Sequence, residues 1–274
     1  MPELPEVETI VNDLKAMGMI GQTVTQCILL WPKTLAQFTE KDLQHALCGK
    51  EIQNISRRAK FILFHFSDVH LLIHLRMSGR LVIAKKSSYS SPYDRALFHL
   101  TNHQTLHFID ARKFGRIYLT QDLALFFKEY GPEPLDPNFT WSSLKNLLAK
   151  KNHQLKALLL NQRFIAGLGN IYVDEALWIA HLHPLRKANS LTDNEVRNLY
   201  KGIKQALEAG IRNKGSTLGI GKSNYYRLDG QKGSNISELN VFRRTNLSCK
   251  RCGMKIVRIK AAGRSTHFCP NCQK

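Results

Sequence analysis

A chain of 274 residues with 43% hydrophobic content is long enough for more than one domain, and no apolar run in it approaches the roughly 18 to 20 residues of a membrane span. Forty Lys and Arg against 21 Asp and Glu leave +19, a balance that argues against a basic or cationic partner and for a polyanion. The excess is uneven: residues 1–131 carry 16 basic and 12 acidic side chains, residues 132–274 carry 24 and 9, and residues 240–274 hold nine Lys or Arg and no acid.

The chain opens Met1-Pro2-Glu3-Leu4-Pro5-Glu6. A methionine before a small residue is normally trimmed, which would leave Pro2 with a secondary amine of ordinary α-amino pKa, about 7.7 to 8. Such an amine is a nucleophile at neutral pH, and its adduct with a sugar carbon or an aldehyde is a charged iminium, an electron sink for elimination. Glu3 beside it can move protons. The same residues also describe a plain helix start, where Pro and acids are both favoured. Val7, Ile10, Val11, Leu14 and Met17 recur at helical spacing before Gly18 and predict a helix over 5–17 that anchors the amine. Strands are expected at 23–30, 51–57, 60–66, 70–76, 80–84, 96–101, 105–110 and 115–120, with turns at Ser67-Asp68 and Asn102-His103. That pattern is an antiparallel sandwich or flattened barrel. Alternation puts Lys60 at the head of an apolar row with Ile62, Phe64 and Phe66, where a cation needs a carboxylate or a phosphate. Cys27 and Cys48 have no partners at metal spacing and read as small buried hydrophobes.

The rigid stretch Gly131-Pro132-Glu133-Pro134-Leu135-Asp136-Pro137 marks a domain boundary. Helices are expected at 141–150, 154–160, 171–179 and 192–211, the last opened by a Thr192/Glu195 capping box. Gly167-Leu168-Gly169-Asn170 precedes one of them, where backbone amides and the helix dipole can seat a phosphate, although a C-cap followed by a new helix reads the same way. Residues 212–237, rich in Gly, Ser, Asn and Lys, are expected to form a mobile loop. Cys249-x2-Cys252-x16-Cys269-x2-Cys272 then brings two knuckles of thiolates to the spacing of one tetrahedral Zn²⁺ on a β-hairpin over 255–260 and 266–268. Two disulfides would require an oxidising compartment, and the spacing is less typical of an iron–sulfur cluster. The fold expected is therefore α+β and multidomain: a β-sandwich domain over 1–131, a helical domain with its loop over 132–237, and a zinc hairpin over 238–274.

Six motifs in this order resemble formamidopyrimidine-DNA glycosylase across essentially the whole chain: Pro2-Glu3-Leu4-Pro5-Glu6-Val7-Glu8, Arg57-Arg58-Ala59-Lys60, His74-Leu75-Arg76-Met77-Ser78-Gly79, Asp110-Ala111-Arg112-Lys113-Phe114-Gly115, Gly167 to Tyr172, and the four cysteines. The resemblance implies a bifunctional base-excision repair glycosylase and lyase acting on oxidised purines, with a helix-two-turn-helix DNA-binding domain. It implies Pro2 as the imine-forming nucleophile, Glu3 as proton carrier and Glu6 as a second acid. Lys60 would be a proton donor that also contacts a phosphate, and Arg264 the phosphate-gripping finger associated with δ-elimination. Met77, Arg112 and Phe114 match the side chains that fill the gap left by an extruded base, and Lys156 and Asn170 match DNA-backbone positions.

Two departures stand out. Tyr93-Asp94-Arg95 replaces the family's His-Asp-His, so Tyr93 or Arg95 is expected to stand in for a histidine contact to DNA. The loop over 214–235 is longer than the common form and carries Tyr225-Tyr226-Arg227, which bears on lesion preference because the family's loop covers the extruded base. The partner implied is damaged duplex DNA, bound by a monomer with one structural Zn²⁺ and no small-molecule cofactor or membrane. The expected location is the cytoplasm of a bacterium, at the nucleoid, since the acidic first ten residues do not resemble a targeting signal. An endonuclease VIII-like enzyme for oxidised pyrimidines is the nearest rival, disfavoured by Leu4 and by Met77, Arg112 and Phe114. A non-catalytic zinc-hairpin DNA binder is the other.

Overall fold

A computed structural model of the chain describes residues 2–85, 89–219 and 225–274. The chain divides into two compact units, Met1–Lys128 with Asn213–Ser234, and Glu129–Arg212 with Asn235–Lys274.

The first unit begins with α1, Leu4–Ala16. Glu3 caps it in a reciprocal box: its carboxylate takes the N3 amide, and its own N–H donates to Glu6 Oε2 at 2.8 Å. Two four-stranded antiparallel sheets follow. One has the order β1 (Val24–Leu29), β6 (Asp94–Leu100), β7 (Gln104–Asp110), β5 (Gly79–Lys85). The other runs β2 (Asn54–Arg58), β3 (Phe61–His65), β4 (His70–His74), β8 (Arg116–Thr120). Val7, Ile10, Val11 and Leu14 of α1 join Cys27, Phe98 and Phe108 of one sheet and Ile62, Phe64 and Ile73 of the other in a single apolar cluster. The expected sandwich is present. Cys27 is buried in it and Cys48 packs against it, as small hydrophobes would.

The sequence reading left residues 31–50 unassigned, yet α2 (Glu40–Leu47) lies there, opened by a Thr39/Asp42 capping box. A further short helix, α3 (Leu123–Phe126), follows β8. Lys60 does not begin a strand. Arg58 pairs with Phe61, so Ala59 and Lys60 are the two turn residues of the β2–β3 hairpin, and Ala59 takes a positive φ of 54°.

The second unit packs α4 (Trp141–Ala149) and α6 (Asn170–Ile179) against the long α7 (Asp193–Arg212), with α5 (Leu155–Leu160) against α6. The α6–α7 crossing is close because residue 202 is glycine: a Cβ there would lie 2.7 Å from the Ala176 carbonyl oxygen. The Thr192/Glu195 box caps α7 as expected, with the Thr192 N–H donating to Glu195 Oε2 at 2.8 Å. β9 (Val257–Ala261) and β10 (Arg264–Phe268) form the terminal hairpin. Buried Glu175 of α6 accepts the N–H groups of Asn240, Val241 and Phe242, tying the approach to that hairpin to the helical core.

The two compact units group the segments across the expected boundaries. Residues 213–234 belong with the sandwich rather than the helices, and the hairpin belongs with the helices. The loop expected to be mobile includes residues 220–224, outside the described residues; its remaining parts are held by hydrogen bonds set out below. Among the described residues no helix is long and apolar enough to cross a membrane.

Candidate active site and nucleic-acid interface

Pro2 is buried and lines a small cavity with Met77, Arg80, Tyr225 and Tyr226. The α1 capping box fixes the chain direction at Glu3. Glu6 does more than cap, because Oε2 takes the Glu3 N–H while Oε1 takes the Ser216 N–H at 2.8 Å. One carboxylate thus joins the start of the chain to the 213–234 segment. The turn carrying Lys60 is shaped by Arg57, whose Nη1 donates to the Ala59 carbonyl at 3.0 Å and whose Nε donates to Glu8 at 2.8 Å.

Met77, Arg112 and Phe114 lie on neighbouring turns governed by Asp110. Its Oδ1 accepts from Ser78 Oγ and from the Arg112 N–H, and its Oδ2 accepts from the Gly115 N–H. Met77 is 43% exposed and Phe114 46%, so neither is core packing, and the Arg112 guanidinium lies 4.7 Å from the Phe114 ring centre. A guanidinium stacked on one exposed apolar tip, with a second on the neighbouring turn, can donate to an orphaned base while the tips enter the stack. Of the two candidates for the missing histidine contact, Tyr93 is exposed. Arg95 is buried and donates to the carbonyls of Asp110, Pro92 and Asp94, so its charge serves the sheet rather than a phosphate.

In the second unit Asn170 stands at the start of α6 after the Gly167 turn, whose φ is 97°, and its Nδ2 donates to the Ser265 carbonyl at 3.0 Å. Arg264 is exposed and follows the Ala262-Gly263 turn, both of whose residues take positive φ, as a tight two-residue hairpin requires. Lys156, expected at a DNA-backbone position, lies inside the unit. Fully buried, it donates to Asp174 Oδ1 at 2.5 Å and to the Asn170 carbonyl at 3.2 Å, so in this structure its charge is balanced inside the unit. Asp174 in turn takes the His267 N–H at 2.9 Å, which fixes β10 next to Arg264. Lys156→Met should therefore destabilise the protein by about 3–5 kcal/mol, since it strands a buried carboxylate; thermal or urea unfolding measures it, and a loss of DNA affinity without loss of stability would contradict it.

The Sγ atoms of Cys249, Cys252, Cys269 and Cys272 all lie within 4.8 Å of one another. Four thiolates on a Zn²⁺ with bonds of about 2.3 Å stand about 3.8 Å apart, and the pairs Cys252–Cys269 and Cys249–Cys272 are 3.5 and 4.0 Å apart. The Arg251 and Cys272 amides and the Trp178 indole donate to the sulfurs, the support expected of a structural zinc site. The donor set fits zinc, and these four residues hold one Zn²⁺ as a structural ion.

Residues 1–117 match the formamidopyrimidine-DNA glycosylase N-terminal domain, 130–221 the formamidopyrimidine-DNA glycosylase H2TH domain, and 247–274 the zinc finger found in FPG and IleRS. A formamidopyrimidine-DNA glycosylase of Protochlamydia amoebophila (strain UWE25) is 48% identical over 275 residues, covering 100% of both chains. The chain belongs to the formamidopyrimidine-DNA glycosylase family. Among solved structures, Lactococcus lactis Fpg in complex with an abasic-site DNA is 36% identical with a TM-score of 0.91, covering 100% of both chains. MutM in complex with DNA containing carbocyclic 8-oxo-G gives the same identity, TM-score and coverage.

One residue with no role assigned from sequence shares the Lys60 environment. His74 ends β4, its ring edge meets Phe61 with centroids 4.7 Å apart, and Nδ1 accepts the Arg76 N–H at 3.0 Å. Burial, then the charges of Arg76 and Lys60, push its pKa down to about 3, so the imidazole stays neutral beside Lys60. The signal available in sequence was a histidine opening the His74-Leu75-Arg76-Met77 motif. Because the folded value lies below the unfolded 6.5, the unfolded chain binds more protons between those limits, and stability falls as pH drops from about 6.5 toward 3. His74→Gln should flatten this part of the stability–pH curve; an unchanged slope would count against a neutral buried His74.

Proposed function

We propose that this DNA glycosylase excises oxidised purines, 8-oxoguanine and formamidopyrimidines, from duplex DNA and cleaves the strand through a Pro2 Schiff base. The observation that carries this reading is a buried Pro2, next in the chain to the Glu3/Glu6 carboxylate box of α1, that shares a cavity with exposed Met77, whose turn Asp110 ties to that of Arg112 and exposed Phe114. A base cannot react inside the stack, so the nucleotide is extruded and the three side chains occupy its place. The Pro2 amine forms a bond to C1′ as the glycosidic bond breaks, and the base leaves with the bonding pair and takes a proton from water; Glu3 then carries the proton of the Pro2 ammonium to the ring oxygen as the C1′–O4′ bond breaks, which opens the sugar to the iminium. Loss of a C2′ proton then expels the 3′ phosphate. Lys60 contacts the phosphate and supplies a proton in elimination, Arg264 grips the flanking phosphates and assists the second elimination, and Tyr93 and Asn170 contact DNA.

The metal is structural in this scheme, the enzyme acts as a monomer without a small-molecule cofactor, and it works in the bacterial cytoplasm on the nucleoid. Borohydride trapping on a duplex with 8-oxoguanine opposite cytosine tests the chemistry, and the same assay with thymine glycol separates purine from pyrimidine preference. A covalent adduct on the first and little on the second is expected. No adduct on either overturns the imine, and preference for thymine glycol overturns the lesion class.

A further inference from the structure

The chemistry proposed for Pro2 uses the front of α1, but the same helix makes a second contact ten residues on, about 15 Å along its axis. There Asp13 accepts from Arg227 Nη2 at 3.2 Å through Oδ1 and from the Leu228 N–H at 3.4 Å through Oδ2. Arg227 also pairs with Asp229 at 3.1 Å, and the Arg227 N–H donates to the Gln231 carbonyl at 3.0 Å while its own carbonyl accepts from Gly230. Residues 227–231 are therefore a closed turn hung on Asp13. The neighbouring Asp13 carboxylate is also what raises the pKa of the Arg227 guanidinium most.

Directly before that turn stand Tyr225 and Tyr226, which wall the cavity that Pro2 lines. Tyr225 is held from its other side, its hydroxyl donating to the Lys214 carbonyl at 3.0 Å and its carbonyl accepting from Thr217 Oγ1 at 2.9 Å. The cavity has room for about one water molecule, so any ring joined to a C1′ that reaches Pro2 meets these two tyrosines. A sugar that carries no base does not.

We propose that Asp13 and Arg227 are positioning residues for base specificity: their ion pair holds Tyr225 and Tyr226 as the wall an extruded base meets, and so governs base release but not elimination at a base-free sugar. This rests on the reading of Pro2 as nucleophile. Neither partner is deeply buried, with side-chain exposures of 15% and 22%, so its removal costs little stability and acts through geometry at the wall.

The test uses zinc-loaded, Met1-free protein and compares single-turnover release of 8-oxoguanine with strand cleavage at a preformed abasic site. Asp13→Ala, Asp13→Asn and Arg227→Gln should each slow base release about tenfold or more and leave abasic cleavage essentially unchanged. The exchange Asp13→Arg with Arg227→Asp should recover base release relative to the single variants. Equal slowing on both substrates, no slowing on either, or an exchange no better than the singles overturns the proposal. Should Asp13→Ala not fold, Arg227→Gln carries the comparison from outside the helix. Unmodified protein that fails at the abasic site overturns the Pro2 nucleophile instead.

Discussion

Substituting Pro2 by glycine should cut borohydride-trapped adduct on 8-oxoguanine duplex by at least about 10³-fold, the loss expected when a covalent nucleophile is replaced by a group less able to do its work. The helix should survive the change, because the capping box is made by Glu3 and Glu6 and does not use the proline ring. DNA affinity should survive as well, since the basic excess lies in residues 132–274. Protein retaining Met1 is the sharper comparison. It keeps every side chain but turns the Pro2 nitrogen into an amide with no free lone pair, and it should trap no adduct at all. Efficient trapping by the Met1-retaining form would identify another nucleophile and end the Pro2 mechanism.

Removing zinc should have the larger effect on structure. Val241, Cys249, Ile256 and Cys269 cluster with Trp178 of α6, and with Ala261 and Phe268 they are a small apolar core for a charged hairpin to rely on unaided. Zinc binding is worth about 10–16 kcal/mol in isolated zinc-finger peptides, so chelation or Cys249→Ser should disorder residues 247–274 and weaken DNA binding, while the sandwich keeps its fold. Trp178 reports the change directly: its indole donates to Cys249 Sγ at 3.4 Å and the Arg251 guanidinium lies 4.0 Å from its ring centre. Its fluorescence should shift in step with release of one zinc per chain. A metal-free protein with unaltered fluorescence and DNA affinity would refute a structural role.

Much of this was legible from residue order. Apolar alternation and short turns foretold the β3–β4 and β6–β7 hairpins, and the cysteine spacing foretold the thiolate cluster, because both depend on local chain geometry. Lys60 shows the limit. Period-2 reasoning placed it at the head of an apolar row, but a two-residue turn interrupts the period, and only Ala59 with its unfavourable positive φ marks the break. α2 was missed although Thr39 and Asp42 carried its capping signal, since its eight residues offered few apolar repeats. The resemblance alone singled out Lys156, and its burial was not legible because its neutralising carboxylate, Asp174, lies 18 residues away on another helix. The attachment of residues 213–234 to the sandwich depends on Glu6 and Asp13, more than 200 residues earlier, and no local pattern reports such a contact.

The Asp110 carboxylate has a consequence for how this surface can vary. Because one side chain is shared by the Ser78 hydroxyl and by backbone amides on both sides of Lys113, the two loops carrying Met77 and Phe114 are a single mechanical part. Their tips can be exchanged for other apolar or cationic groups without moving the frame. Inserting or deleting one residue in either loop would pull its amides or hydroxyl off the carboxylate and release both tips together, so this frame tolerates a change of side-chain chemistry at the tips but not a change of loop length.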